Sequence, residues 1–206
     1  MYRIANMSAL GYAAFALTLW LANMGPAGWF DQPGTTTMPL LFAQPGNVLL
    51  PLLTAVLGGC VLALAGIWQT LRGYTLDAVL FLAFAGYWWV AALSQHALAI
   101  DSYGPTSGFL GWYYIVWAFL VFCIWLAACR NGVARMLFTF GLCISLLAFA
   151  LANWVHLGAL TVLGGYLGLV TAVLGIYIAA AEILNEVRGH LVLPLGESTS
   201  DNEPGP

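Results

Sequence analysis

Of 206 residues, 62% are hydrophobic and 6% charged, with a formal net charge of -3 at pH 7. So little charge excludes an ordinary water-soluble domain, and the acidic balance argues against a nucleic-acid partner. All five basic residues are arginines, and the absence of lysine removes any mechanism built on a Schiff base, a retinal pigment included.

About 20 apolar residues carry a helix across the hydrocarbon of a bilayer, and the chain offers six such runs. They are roughly Ser8 to Met24, Val48 to Thr70, Thr75 to His96, Gly108 to Cys129, Val133 to Val155 and Gly158 to Leu184. The expected fold class is therefore all-α: a polytopic membrane protein with six transmembrane helices in a bundle. Residues 1–190 form the transmembrane domain in this reading, and 191–206 a cytoplasmic C-terminal tail.

Small residues near Ala22 could pass for a signal-peptide cleavage site, but a second span follows and the first run reads as a retained helix. Between the first two runs, Gly25 to Gly46 carries Pro26, Pro33, Pro39 and Pro45, which deny it a long helix. Gly73 stops the second helix and Thr75 is placed to cap the third. Asp77 falls in that helix's first turn, where the dipole favours an anion. Gln95 to Ser107 is a polar connection, Arg130 to Arg135 a tight one, and His156 with Gly158 turns the fifth helix into the sixth. Numbered along these connections, Arg3, Arg72, Arg130, Arg135 and Arg188 all fall on one side. The positive-inside rule makes both termini cytoplasmic, in a cell inner or plasma membrane. Asp31, Asp101, His96 and His156 then lie at the outer face, and the tryptophans and tyrosines from Trp88 to Trp117 form part of an interfacial belt.

The last run has two signals. Gly164, Gly165, Gly168 and Gly175, with Ala172, sit at helical spacing and admit close approach of a neighbouring helix, either inside the bundle or between subunits. Glu182 and Glu186, four apart with Asn185 beside them, share one face at the exit. A carboxylate costs about 2.5–3.5 kcal/mol at a bilayer centre and far less at its edge, so both are expected at the boundary, either as hydrated helix-end groups or in a direct transport role. Cys60, Cys123, Cys129 and Cys143 are scattered through apolar runs and read as small buried hydrophobes, with no metal site and no cofactor implied. Asn153, late in the fifth helix, needs partners if buried, either a helix or a substrate path. No paired acids, activated nucleophile or phosphate loop marks an enzyme. A haem held by His96 and His156 would need both imidazoles in one cavity, which two outer-end histidines do not offer.

The exit, Glu182 and Asn185-Glu186 followed by Leu193-Pro194-Leu195-Gly196-Glu197, resembles the end of the acetate uptake transporter (succinate-acetate permease) family. Ala5-Asn6-Met7-Ser8-Ala9-Leu10-Gly11 is similar to that family's Asn-Pro-Ala-Pro-Leu-Gly signature. Gly58-Gly59, Ala65-Gly66 and Gly73-Tyr74-Thr75 follow its second helix and turn, Gly86-Tyr87-Trp88-Trp89 its Tyr-Gly-x-Phe-Trp motif, and Phe109-Leu110-Gly111 and Asn153 also fit.

The resemblance implies a hexameric ring of protomers, each with a narrow pore for small monocarboxylates. Acetate and, in some members, succinate are carried, by proton symport or channel conduction. It places Asn6, Leu10 and Gly11 at the mouth, Phe15 and Leu142 at a central hydrophobic constriction, and Gly86 in the matched third-helix motif. With Asn153, these form the expected substrate pathway, and Glu182, Asn185 and Glu186 the cytoplasmic exit. The chain departs from the pattern at Met7 and Ala9, where the signature has prolines, at Gln69, where it has glutamate, and at Ala85, where it has tyrosine. Loss of that ring is expected to widen the constriction unless Tyr87 or Trp88 moves in. The alternative function is a channel for a small neutral solute such as urea or a short amide.

Overall fold

The computed structural model describes residues 6–29, 49–100 and 105–196, with side chains from all of these except 49 and 95–100. The expected connection through Asp31, the groups Arg3, Asp101 and Glu197, and the His96 side chain lie outside the described residues. Within them the fold is all helical. The first helix is Ser8–Met24 and the second runs unbroken through Leu49–Leu53, a π-helical stretch Thr54–Val61, and Leu62–Leu71. Thr75–Ile100, Ser107–Ala128, Val133–Val155 and Gly158–Arg188 complete the six.

Local chemistry sets the ends. Thr106, extended after Pro105, accepts a hydrogen bond from the Phe109 amide and starts the fourth helix. His156 closes the fifth in the left-handed region at φ 56°, and Gly189 closes the sixth at φ 68° with its amide donating to Asn185 O. The second to sixth helices are long and apolar enough to cross a membrane. The first has 17 residues, about 25 Å of rise, and is short of a bilayer's hydrocarbon core.

The sixth helix packs on the first and the fifth, the fifth also on the fourth, and the second on the third. Glycines make the first of these contacts close. A side chain at Gly168 would run into Asn23, one at Gly175 would meet Ala16 and Phe138, and one at Gly165 would strike the backbone of Pro26 and Ala27. The small-residue stripe therefore serves packing within the chain. In the π-helical stretch, Gly58 and Gly59 leave room for the rings of Trp88 and Trp89. The cysteine expectation needs correction. Cys143 alone is buried, with its sulfur 3.5 Å from Ala118 O, whereas Cys60, Cys123 and Cys129 are exposed, Cys123 on the lining of the vestibule described below.

Candidate functional site

Four helices turn comparable faces inward. On the first, Ser8, Tyr12, Phe15 and Leu19 recur at helical spacing and are all buried. Asp77, Phe81, Phe84 and Trp88 do the same on the third. The fifth contributes Arg135, Phe138, Leu142 and Leu146, and the sixth Ala172, Gly175, Ile178 and Glu182. Each face carries a polar or charged residue at one end and an apolar run behind it.

The polar ends meet. Arg135 Nη2 donates to Glu182 Oε1 at 2.6 Å. Ser8 Oγ stands 3.0 Å from the same oxygen and 2.8 Å from Asp77 Oδ2, while Tyr12 OH donates to Asp77 Oδ1 at 3.0 Å. Asn6 joins this cluster at longer range. Its amide donates to Glu182 Oε2 at 3.4 Å, and its carbonyl oxygen receives Gln69 Nε2 at 3.4 Å and Arg72 Nη1 at 3.5 Å. Gln69 is 1% exposed and its Oε1 has no hydrogen-bond partner. The cluster forms one wall of a half-open vestibule of about 1060 Å³, which Arg130, Asn131, Asn185 and the strap Pro194-Leu195-Gly196 also line.

Behind the cluster the interior turns aromatic. The Tyr12 ring meets Phe81 and Phe138 edge-on at 5.1 and 5.5 Å, and Phe15 lies 5.3 Å from Phe138 and 4.7 Å from Phe84. Phe84 in turn contacts Tyr87 and Trp117. Beyond this plug is a cavity of about 20 Å³, bounded by Asn23, Phe84, Tyr87, Leu142 and Ser145 among others.

The sequence-predicted residues divide accordingly. Asn6 belongs to the vestibule, Gly11 is buried with no room for a side chain against Phe81, and Phe15 and Leu142 are both buried in the central core. Leu10 is 45% exposed and Gly86 opens to empty space, so both point away from this interior. Asn153 stands apart, late in the fifth helix. Its amide donates to Phe149 O, one turn back, and its Oδ1 is buried without a partner. Of the exit carboxylates, Glu182 departs from the expectation: it is 6% exposed and ion-paired rather than hydrated, because Arg135, Ser8 and Asn6 replace the water. Glu186 is only partly buried.

Asn185 faces the strap. It donates to Leu193 O and accepts from the Val192 and Leu193 amides, while Tyr177 OH donates to Pro194 O. The amides of Val133 and Ala134 then donate to Gly196 O and Leu195 O, so the strap caps the fifth helix. His156 is exposed at a helix end, and no group of three His, Cys, Asp or Glu able to hold a metal occurs among the described residues.

Sequence reasoning missed Asp77, Tyr12 and Arg135 as a unit, and Phe84 and Phe138 as rings of the plug. Ala85 carries no ring, Phe84 one residue earlier meets Phe15, and Tyr87 contacts Phe84. The available signal was the inward spacing on the first and third helices, read together with the scarcity of carboxylates inside the spans.

A polar vestibule closed by an aromatic plug inside a bundle of membrane-length helices defines a multi-pass membrane protein of the transporter and channel class. The chain matches the GPR1/FUN34/yaaH family over residues 1–197 and belongs to it. It is 26% identical over 198 residues to the Escherichia coli K12 "Succinate-acetate/proton symporter SatP", covering 95% of this chain and 97% of that protein. A Yarrowia lipolytica "Glyoxylate pathway regulator" is 28% identical over 198 residues, covering 92% of this chain and 68% of its own. A Saccharomyces cerevisiae "Ammonia transport outward protein 2" is 25% identical over 202 residues, at 93% and 66%. The solved structure of the "bacterial acetate channel SatP" superposes with a TM-score of 0.82 at 23% identity, covering 94% of this chain and all of that one. Three of these four names state transport or a channel, and the Yarrowia lipolytica name states a regulator.

Proposed function

We propose that this chain is a permease or channel for small monocarboxylates, acetate foremost and succinate in addition, with transport linked to protons. The observation that carries the reading is the order of the two zones: a vestibule with arginines and amides leads directly onto a plug of buried rings. Cationic and amide donors at the mouth attract a carboxylate, and an apolar constriction raises the barrier to ions and favours the neutral acid. The names of the Escherichia coli relative and of the bacterial channel support the same substrate class.

In this proposal Asn6, Ser8 and Arg135 meet the substrate at the vestibule, and Phe15, Phe84, Phe138 and Leu142 form the constriction. Gly11 gives Phe81 its place, and Asn153 with its spare carbonyl oxygen lies at the far end of the path. Arg72, Arg130 and Arg135 gather around one vestibule, which supports a cytoplasmic mouth, cytoplasmic termini and a tail over 191–206. Protomers assemble as a hexameric ring, in which the outward Leu10 and Gly86 face lipid or a neighbour.

The test is uptake of radiolabelled acetate into proteoliposomes of the purified protein, with and without an inward proton gradient, corrected for protein-free vesicles. Propionate, succinate and urea serve as competitors. Saturable uptake that propionate inhibits and a proton gradient raises is expected. Rapid urea permeation without saturable acetate uptake would overturn the reading in favour of a neutral-solute channel.

A further inference from the structure

The cluster at the inner wall of the vestibule poses a counting problem. Ser8 Oγ lies within hydrogen-bond distance of two carboxyl oxygens, 2.8 Å from Asp77 Oδ2 and 3.0 Å from Glu182 Oε1. A hydroxyl has one hydrogen to donate and two lone pairs that accept. With both carboxyls ionised, one of these contacts would set lone pair against lone pair, and two buried negative charges would lie under about 6 Å apart. With one proton added, every contact is satisfied. The protonated carboxyl donates to Ser8 Oγ, and Ser8 donates onward to the other carboxylate. Arg135 grips Glu182 Oε1 at 2.6 Å and Asn6 donates to Oε2, which favours Glu182 as the ionised member. Asp77 is left with one neutral donor, Tyr12 OH, to its Oδ1.

The other polar groups around the pair are also accounted for. On the second helix, Gln69 and Arg72 reach toward Asn6 rather than toward Asp77. Arg130 and Asn131 line the vestibule near the start of the fifth helix.

We infer that Asp77 and Glu182, bridged by Ser8, bind one exchangeable proton at the threshold of the aromatic plug and hand it to the entering carboxylate. The inference rests on the carboxylate reading above and names the group that makes transport proton-linked. In the step, the O–H bond of the Asp77 carboxyl breaks and an O–H bond forms on the substrate carboxylate. Asp77 becomes an anion and the neutral acid enters the rings around Phe15. A proton from vestibule water then restores Asp77. The site stands at the right place for this exchange: Ser8 and Asp77 line the open vestibule, and Tyr12, bonded to Asp77, is in edge contact with Phe138 and Phe81. A proton given earlier would be lost to water, and one given later would require the anion to enter the plug.

The experiment uses the full-length protein in proteoliposomes and has two readouts. The first is infrared difference spectroscopy between acid and alkaline pH. A protonated-carboxyl C=O band sensitive to deuterium is expected in the wild type and expected to vanish in D77N. The second is acetate uptake at pH 5 and pH 7, corrected for protein-free vesicles, which report acetic acid crossing the lipid itself. Without the site, only acid already protonated in bulk enters, and that fraction falls about tenfold per pH unit above the carboxyl range. The D77N deficit is therefore expected to grow at least tenfold from pH 5 to pH 7. S8A keeps both carboxyls and cuts the bridge. It is expected to shift the profile in the same direction, and it decides the matter if D77N does not fold. A carboxyl band and a pH profile unchanged in D77N, or in S8A where D77N is unfolded, would overturn the inference. If the wild type shows no saturable acetate uptake, the carboxylate reading falls, while the infrared band still decides whether the pair holds a proton.

Discussion

Replacing Arg135 by Gln removes a guanidinium 2.6 Å from Glu182 and leaves that carboxylate, its side chain 4% exposed, to Ser8 and Asn6 alone. Breaking a buried ion pair by removing one partner costs about 3–5 kcal/mol, because the surviving charge stays buried without its counterion. Arg135 is itself 15% exposed, so water can partly reach the site and the lower end applies, about 3 kcal/mol. For a chain of this size each kcal/mol moves the melting temperature by about 2–4 °C, so R135Q should unfold about 6–12 °C below the wild type. E182Q should fall by a similar amount. The double variant R135Q/E182Q buries no unmatched charge at this pair and should recover more than half of the loss. Thermal unfolding of the purified protein in detergent, followed by tryptophan fluorescence, measures all four corners of this cycle. If the double variant loses as much as the two single losses together, the pair is not coupled and the account of the cluster is wrong.

Phe84 is 1% exposed and seals the plug against Phe15, so F84A should cost about 3–5 kcal/mol of stability. In proteoliposomes it should raise acetate flux several-fold and admit succinate more readily; an unchanged flux would argue against a constriction there. N185A removes three hydrogen bonds to the strap and should cost about 1–3 kcal/mol, with tail cleavage in limited proteolysis well before wild type. Glycines test the packing in opposite directions. G168L should fail to fold, since Asn23 occupies the space, whereas G86A has open room and should gain about 0.5–1 kcal/mol from the better helix former, both read by thermal unfolding.

Helix boundaries were the most legible part of the sequence, because length and apolar content suffice to mark a span. The first helix and the fifth begin and end where composition places them, the third runs on through a further apolar turn to Ile100, and the sixth runs a further turn into the polar residues before Arg188. The site was less legible because it depends on which face of each helix turns inward. Arg135 and Glu182 are 47 positions apart, and no local pattern pairs them. Position 85 shows the limit most clearly. Alignment to a motif places the missing ring at Ala85, but a one-residue step is about 100° around a helix, and Phe84 is the side chain that meets Phe15. Cysteine polarity likewise says nothing of facing: in a bilayer the outside of the bundle is as apolar as its core, so Cys60 and Cys129 stand exposed, while Cys123 opens to the vestibule.

The strap at Leu193–Gly196 has a consequence for how the protein is made. The first turn of the fifth helix, next to Arg135, has two amides whose acceptors are Leu195 O and Gly196 O, near the end of the chain. During synthesis those carbonyls leave the ribosome long after the helix they cap has entered the membrane. Until then the helix start is held by water, and the vestibule lacks a wall. The mouth is therefore completed only after the sixth helix has emerged. A truncation before Leu195 should insert all six helices and still leave the opening unfinished, a defect of assembly rather than of membrane insertion.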